Sequence, residues 1–221
     1  DTTRLAGVLV ARLPGAWRHP ALTPWPLDAR SVEAARLALL AGDPAGSQSA
    51  ALAVINYLFD DLQTAAAARA ALAISVAALD LAVSTGSALD LVLARRAADV
   101  AVRIGDGTAR QHVFDISAGR GDGGDLRARA QLDTSRADHL VTLGEIDAAL
   151  RLLRGAIDTL EQVGDARSRA VTMGQIADIL TQQGQITEAL RIRREEELPV
   201  YEQIGDARSR AVTMGQIADI L

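Results

Sequence analysis

One long segment occurs twice in this chain, almost unchanged. The first copy, EQVGDARSRAVTMGQIADIL, covers residues 161–180, and the second covers residues 202–221. The copies differ only at Val163 and Ile204. Their offset of about 40 residues is typical of stacked-repeat proteins, in which each unit buries its apolar surface against its neighbours. The duplication therefore predicts a repeat architecture.

Composition indicates that the repeats are helical. About half of the 221 residues are apolar, but only 3 % are aromatic, and alanine is abundant. Small side chains let helices approach closely, and no long stretch alternates apolar and polar residues as a half-buried strand would. The sequence therefore predicts an all-α fold.

Glycines divide the chain into helices of similar length. A glycine just past a helix end accepts the left-handed conformation, and an Asp or Ser then caps the next helix. The connections are short, so successive helices should be antiparallel neighbours. The predicted helices cover residues 29–41, 47–61, 64–84, 87–104, 107–118, 125–143, 145–163, 166–183, 185–203 and 207–221.

One of these helices contains an irregularity. The interval from Gly184 to Gly205 is one residue longer than the interval from Gly144 to Gly164, and the longer one contains Pro199. Proline removes a backbone donor and bends a helix. We therefore predict a kink or a one-residue bulge near residues 195–199.

The repeat unit resembles the tetratricopeptide repeat family. The family's large, small and glycine positions are matched in order by Met173, Ile176, Ala177, Leu180, Gly184, Ile186 and Ala189. The preceding unit matches in its second helix, but its first helix has Asp133 and Arg136 at sites where the family has apolar residues. The period of about 40 residues is similar to the long variants in kinesin light chains and bacterial signalling proteins. The resemblance implies a right-handed superhelix, or α-solenoid, of antiparallel helix pairs.

Three regions follow from the extent of this resemblance. Residues 144–221 are tetratricopeptide-like, with the last repeat truncated, and residues 64–143 are degenerate repeats with a Gly-rich loop inserted at 119–125. Residues 1–63 have no repeat signature and are interpreted as an N-terminal cap or linker region. Within it, residues 14–26 hold four prolines and both tryptophans, which predicts an extended connector pinned by Trp17 and Trp25.

In tetratricopeptide stacks the first helices line a concave groove, and the resemblance carries that role to matching positions here. Asp138, Asp178 and Asp219 would form an acidic ladder suited to a basic or extended peptide. The alternative is that these are solvated polar residues. Gly174 and Gly215, inside helices, indicate close approach of a neighbouring helix or, less readily, of a ligand backbone. The predicted groove residues are Asp138, Val171, Gly174, Gln175, Asp178, Thr181, Gln182, Gln216 and Asp219, with Val212 and Gly215 equivalent in the second copy.

Other patterns favour no chemistry. A G-x-G-x-x-G match at residues 119–124 lacks the strand that dinucleotide binding needs. The charge run of residues 193–197 is interpreted as a solvated helix face with i,i+3 and i,i+4 pairs. No catalytic set, metal-ligand spacing or cofactor motif is apparent, so we expect a non-enzymatic protein without cofactors. A net charge of −5 argues against a nucleic-acid partner.

The expected function is protein–protein interaction through a peptide or protein bound in the groove, as part of a larger protein. The alternative is a sensor or oligomerisation arm of a bacterial signalling NTPase or protease-like protein, which the resemblance implies. We expect a cytoplasmic location, because the sequence has no cysteine and Asp1, Thr2 and Thr3 do not resemble the start of a signal peptide. The apolar run 65–83 carries Arg69 and Asp80 and is interpreted as a buried helix rather than a membrane span. The unpaired apolar face of residues 211–221 predicts fraying or self-association.

Overall fold

The structure is a computed structural model that describes residues 28–61, 65–118, 120 and 125–221. Every regular element within these ranges is helical, which confirms the all-α prediction for this part of the chain. The connector 14–26, with Trp17 and Trp25, and most of the loop 119–125 lie outside the described residues. The chain divides into two compact units, residues 1–124 and residues 125–221. The two units are defined by packing contacts. The three regions inferred from the sequence, residues 1–63, 64–143 and 144–221, stay predictions.

The observed helices follow the glycine-bounded segments closely. In the first unit they are α1 (Asp28–Ala41), α2 (Pro44–Asp61), α3 (Ala65–Ser84), α4 (Leu91–Arg103) and α5 (Gly107–Ser117). In the second unit they are α6 (Leu126–Thr142), α7 (Ile146–Gln162), α8 (Ala166–Gln182), α9 (Ile186–Arg191), α10 (Leu198–Gln203) and α11 (Ala207–Ile220), with a π-helical segment (Ile192–Glu197) joining α9 to α10.

The first unit has an alanine-rich core around α3. Ala70, Ala78 and Leu79 on this helix have no solvent-exposed surface, because α2, α4 and α5 pack around it. The stretch Ala66–Ser84 is long and apolar enough to cross a membrane, with a mean hydropathy of 1.8, but 61 % of it is buried inside the protein. A mostly buried helix of this kind is accounted for by packing within the unit.

The prediction that α4 begins at residue 87 was wrong, because residues 87–90 are held outside the helix. The buried side chain of Gln48 donates to the carbonyl of Ala88 at 3.1 Å and accepts from the amide of Asp90 at 2.8 Å. Asp90 then caps the helix by accepting from the amide of Leu93. The chain therefore enters α4 four residues later than its helical composition indicates.

Short turns with the expected chemistry join the helices of the second unit. Gly144, Gly164, Gly184 and Gly205 all have φ between 69° and 79°, a conformation that residues with a Cβ rarely adopt. Asp165 and Asp206 cap the two duplicated helices by accepting from the amides of Ser168 and Ser209. The predicted glycine turns are therefore confirmed in this unit, whereas the predicted caps are present at α6, α8 and α11 but not at α7 and α9, which follow Glu145 and Gln185 without a side-chain cap.

The face predicted for the first duplicated helix is buried. Met173, Ile176, Ala177 and Leu180 of α8 are each at most 6 % exposed. They pack with Leu153 and other residues of α7 on one side and with α9 on the other. One helix pair cannot cover both faces of α8, so burial of this helix depends on α7 of the preceding repeat as well as on its own partner, α9.

The bulge predicted near residues 195–199 is present as the π-helical segment, which begins three residues earlier, at Ile192. Its signature is the hydrogen bond from the amide of Leu198 to the carbonyl of Arg193, five residues back. A π-helical turn accommodates one extra residue, which accounts for the longer spacing between Gly184 and Gly205. It ends at Glu197, two residues before Pro199, whose missing N–H cannot continue an α-helical ladder.

Candidate functional site

The second unit contains an open groove between the two duplicated helices. Its volume is about 320 Å³. One wall is α8, the other is α11, and the floor comes from the π segment and α10. The lining residues are Arg167, Val171, Gly174, Gln175 and Asp178 on α8, Arg208, Ser209, Val212, Thr213 and Gln216 on α11, and Arg193, Glu197 and Tyr201 on the floor.

Three pairs of lining residues are equivalent positions of the duplication. Arg167 matches Arg208, Val171 matches Val212, and Gln175 matches Gln216 when the two copies are aligned. Within a helix they follow one another at intervals of four residues, so they form a row along one face. The two walls therefore present the same order of chemistry: a guanidinium, an apolar side chain and an amide.

The floor of the groove is organised by Arg193, whose side chain is only 1 % exposed. It donates to Asp178 Oδ1 on α8 at 2.5 Å, to Glu197 Oε2 at 3.0 Å and to Gln216 Oε1 on α11 at 2.7 Å. One guanidinium thus joins both walls to the floor. A planar cation with five donors suits such a junction, whereas an ammonium would not span it.

Glu197 completes this cluster from the same π segment. Its carboxylate accepts from Thr213 Oγ1 at 2.9 Å as well as from Arg193. Burial raises the pKa of Glu197, and the hydrogen bond from Thr213 and the charge of Arg193 partly oppose that rise. The interpretation of residues 193–197 as a solvated face was wrong for Arg193 and Glu197, because the π-helical turn directs both into the unit.

Gly174 makes room for this cluster. A Cβ built at Gly174 would lie 2.9 Å from Glu197 Oε1 and 3.2 Å from Glu197 Cδ. At Gly215, the equivalent glycine of the second copy, a Cβ would have no neighbour within 4 Å. The close approach predicted for a helical glycine is therefore present at Gly174, where a neighbouring helical segment supplies it, and absent at Gly215.

The structure brings some of the predicted groove residues together and leaves others apart. Val171, Gly174, Gln175, Asp178 and Gln216 line the groove, together with Val212. Outside its lining are Asp138, Thr181, Gln182, Gly215 and Asp219.

The aspartates of the predicted ladder are used differently from one another. Asp138 accepts from Gln175 Nε2 at 3.2 and 3.3 Å, and Asp178 is paired with Arg193. Asp219 is exposed. Asp138 and Asp219 thus lie outside the groove lining, and Arg193 offsets the charge of Asp178, so the fixed negative charge of the groove is smaller than the sequence indicates.

A second polar contact recurs between first helices. Arg127 Nε lies 3.1 Å from Asp165 Oδ2, and Arg167 Nη2 lies 3.1 Å from Asp206 Oδ2. In each case the second residue of one first helix pairs with the N-cap aspartate of the next. Sequence reasoning missed this contact, although the Asp-x-Arg spacing that supplies it recurs at residues 125–127, 165–167 and 206–208.

The two duplicated helices differ in how much of their apolar face is covered. Met173 is 6 % exposed, whereas the equivalent Met214 is 50 % exposed. Leu180 is 5 % exposed, whereas the equivalent Leu221 is 78 % exposed. The apolar face predicted for residues 211–221 is therefore largely open to solvent in the structure.

Within the described ranges, no three His, Asp or Glu side chains come close enough together to hold a metal ion. No protein-family model matches the sequence, and no curated protein matches it either.

Proposed function

We propose that the second unit is a tetratricopeptide-like module that binds an extended peptide segment of a partner protein in the groove between α8 and α11. The observation that carries the proposal is the set of equivalent residues on the two walls. Repeat units that stack in register bring equivalent positions onto one continuous surface, and such surfaces bind extended ligands.

The recurring polar contacts support a superhelical arrangement of these helix pairs. The ion pairs Arg127–Asp165 and Arg167–Asp206 repeat the same geometry from one helical repeat to the next. A contact that repeats in this way implies a similar rotation between successive repeats, which is how solenoids acquire their curvature. The net negative charge of the chain further favours a protein partner over a nucleic acid.

The apolar centre of the groove supplies a binding surface. Val171 is 46 % exposed and Val212 is 55 % exposed. Apolar side chains flanked by polar groups are the usual composition of a ligand site, because burial stabilises the complex and the polar groups orient the ligand. A groove of about 320 Å³ corresponds to a few peptide residues rather than to a folded domain.

The test is a selection of displayed random nine-residue peptides against the full chain. We expect enriched peptides whose affinity falls about tenfold or more when Val171 or Val212 is replaced by Glu, since each change puts an unpaired charge at the apolar contact. The matched control is Val102→Glu, because Val102 is a valine with 52 % exposure in the first unit. A failure to enrich any peptide that discriminates the groove variants from this control would reject the proposal.

A second candidate is an oligomerisation arm, which the open apolar face of α11 favours. The side chain of Met214 is half-exposed, whereas the equivalent Met173 is buried, and an exposed apolar face commonly marks an interaction surface. If this candidate holds, sedimentation velocity should show concentration-dependent dimers that Met214→Glu abolishes. Leu37→Glu, at a leucine with 52 % exposure in the first unit, should leave the dimers intact. Monomers at all concentrations would exclude this role.

A further inference from the structure

We propose that the groove selects an extended peptide in which an acidic, an aliphatic and a basic side chain alternate with residues that the groove does not contact, in the order acidic–x–aliphatic–x–basic. This inference rests on the proposed peptide-binding function and specifies its ligand. It reverses, at one end of the groove, the preference for a basic ligand that the sequence indicates.

The charge of the groove changes along its length. At one end Arg167 and Arg208 extend into solvent, and Arg167 is 67 % exposed. Arg167 shares its charge with Asp206, while Arg208 has no ion-pair partner among the described residues. This end therefore carries an uncompensated guanidinium, which pairs best with a carboxylate.

The other end presents a carboxylate. The side chain of Asp178 is 53 % exposed even though Arg193 contacts it. The two amides of this end offer a ligand no acceptor, because Gln175 Oε1 is buried and Gln216 Oε1 accepts from Arg193. A long cationic side chain, Arg or Lys, complements the exposed carboxylate of Asp178.

Helix geometry sets the spacing of the ligand. Arg208, Val212 and Gln216 follow at intervals of four residues, which is about 6 Å along a helix. Side chains on one face of an extended peptide recur every second residue, at about 6.6 Å. An extended segment lying along α8 and α11 therefore places its alternate side chains opposite the guanidinium, apolar and amide positions in turn. Asp178 lies three residues beyond Gln175, about 4.5 Å along the helix, which a long basic side chain at the third position can span.

The same nine-residue selection tests this inference, followed by binding of two synthetic peptides of equal composition. One contains Glu-Ala-Val-Ala-Arg, and the other, Glu-Val-Ala-Ala-Arg, places the acidic and aliphatic side chains on opposite faces. We expect the first peptide to bind the native protein about tenfold more tightly than the second peptide does. The two peptides should bind the Arg208→Glu variant with equal affinity. The control with the same charge change is Arg194→Glu, because Arg194 is exposed and lies outside the groove lining.

The outcomes separate the two proposals. Enrichment of the alternating pattern, with a basic residue replacing the acidic one when Arg208→Glu is the target, supports the inference. Groove-dependent peptides without that pattern, or a pattern that Arg208→Glu leaves unchanged, overturn the inference and leave the peptide-binding function standing. If no groove-dependent peptide is enriched, the proposed function fails and the inference fails with it.

Discussion

Replacing Arg193 with methionine is expected to lower the free energy of unfolding by about 3 kcal/mol, measured by denaturant titration. The change keeps an unbranched apolar stem but leaves the carboxylate of Glu197, which is 5 % exposed, buried without its cation. The lower end of the usual range for breaking a buried pair applies because Asp178 is half-exposed and can be solvated.

The neighbouring arginine provides the control for this experiment. Arg194→Met makes the same chemical change at an exposed position, where an effect within about 0.5 kcal/mol is expected. A double variant, Arg193→Met with Glu197→Leu, should recover most of the loss, because apolar replacement of a buried ion pair is commonly neutral. Equal unfolding free energies for Arg193→Met and Arg194→Met would show that the buried pair does not stabilise the unit.

The loss in Arg193→Met should also depend on pH. Burial already raises the pKa of Glu197 above its usual value of 4.5, and removal of the cation would raise it further. A carboxyl with a raised pKa binds its proton more tightly in the folded state, so its contribution becomes more favourable as pH falls. The difference in unfolding free energy between the native protein and the variant is therefore expected to shrink as pH falls from neutral toward the unfolded pKa.

The same substitution in the two copies, Gly174→Ala and Gly215→Ala, is expected to have opposite effects on stability. At Gly215 alanine meets nothing within 4 Å, so the better helix propensity should stabilise by up to about 1 kcal/mol. At Gly174 the new methyl group would lie 2.9 Å from Glu197 Oε1. Thr213 donates to this oxygen and Arg193 donates to Oε2, so the carboxylate is held in place. Overpacking of this kind costs about 1–3 kcal/mol and should exceed the gain in propensity.

Thermal and denaturant unfolding of the two variants measures this difference directly. Because the segments 161–180 and 202–221 are almost identical, sequence-dependent effects on the unfolded state largely cancel in the comparison. If Gly174→Ala proves as stabilising as Gly215→Ala, the Glu197 side chain must move aside at no cost, and the cluster around Arg193 is less rigid than its contacts indicate.

Local patterns in the sequence were sufficient for most of the helices of the second unit. Glycines with positive φ and capping aspartates act within a few residues, so Gly164 and Asp165 set a helix boundary whatever surrounds them. The bulge was also predictable, because one extra residue and Pro199 within a single helix leave few alternatives.

Features that depend on distant contacts could not be predicted in this way. The start of α4 depends on Gln48, which is 42 residues from Asp90. The inward turn of Arg193 and Glu197 depends on the π-helical register and on the space at Gly174, and a charge run by itself indicates solvent. The pairing of Asp138 with Gln175 likewise joins two residues that are 37 positions apart in sequence. The predicted acidic ladder omitted Arg193, which offsets the charge of Asp178, so it overstated the free charge of the groove.

The unequal covering of the duplicated helices has a consequence for how the second unit opens. Residues 166–180 and 207–221 have the same sequence and the same N-cap, so their intrinsic helix propensities are equal, whereas their C-terminal ends differ. In the first turns, away from these ends, a difference in the free energy of local unfolding therefore comes mainly from tertiary packing. The less covered helix α11 can therefore serve as a reference for α8. Amide hydrogen exchange measured residue by residue in both helices would separate the contribution of packing to local stability from the contribution of the sequence.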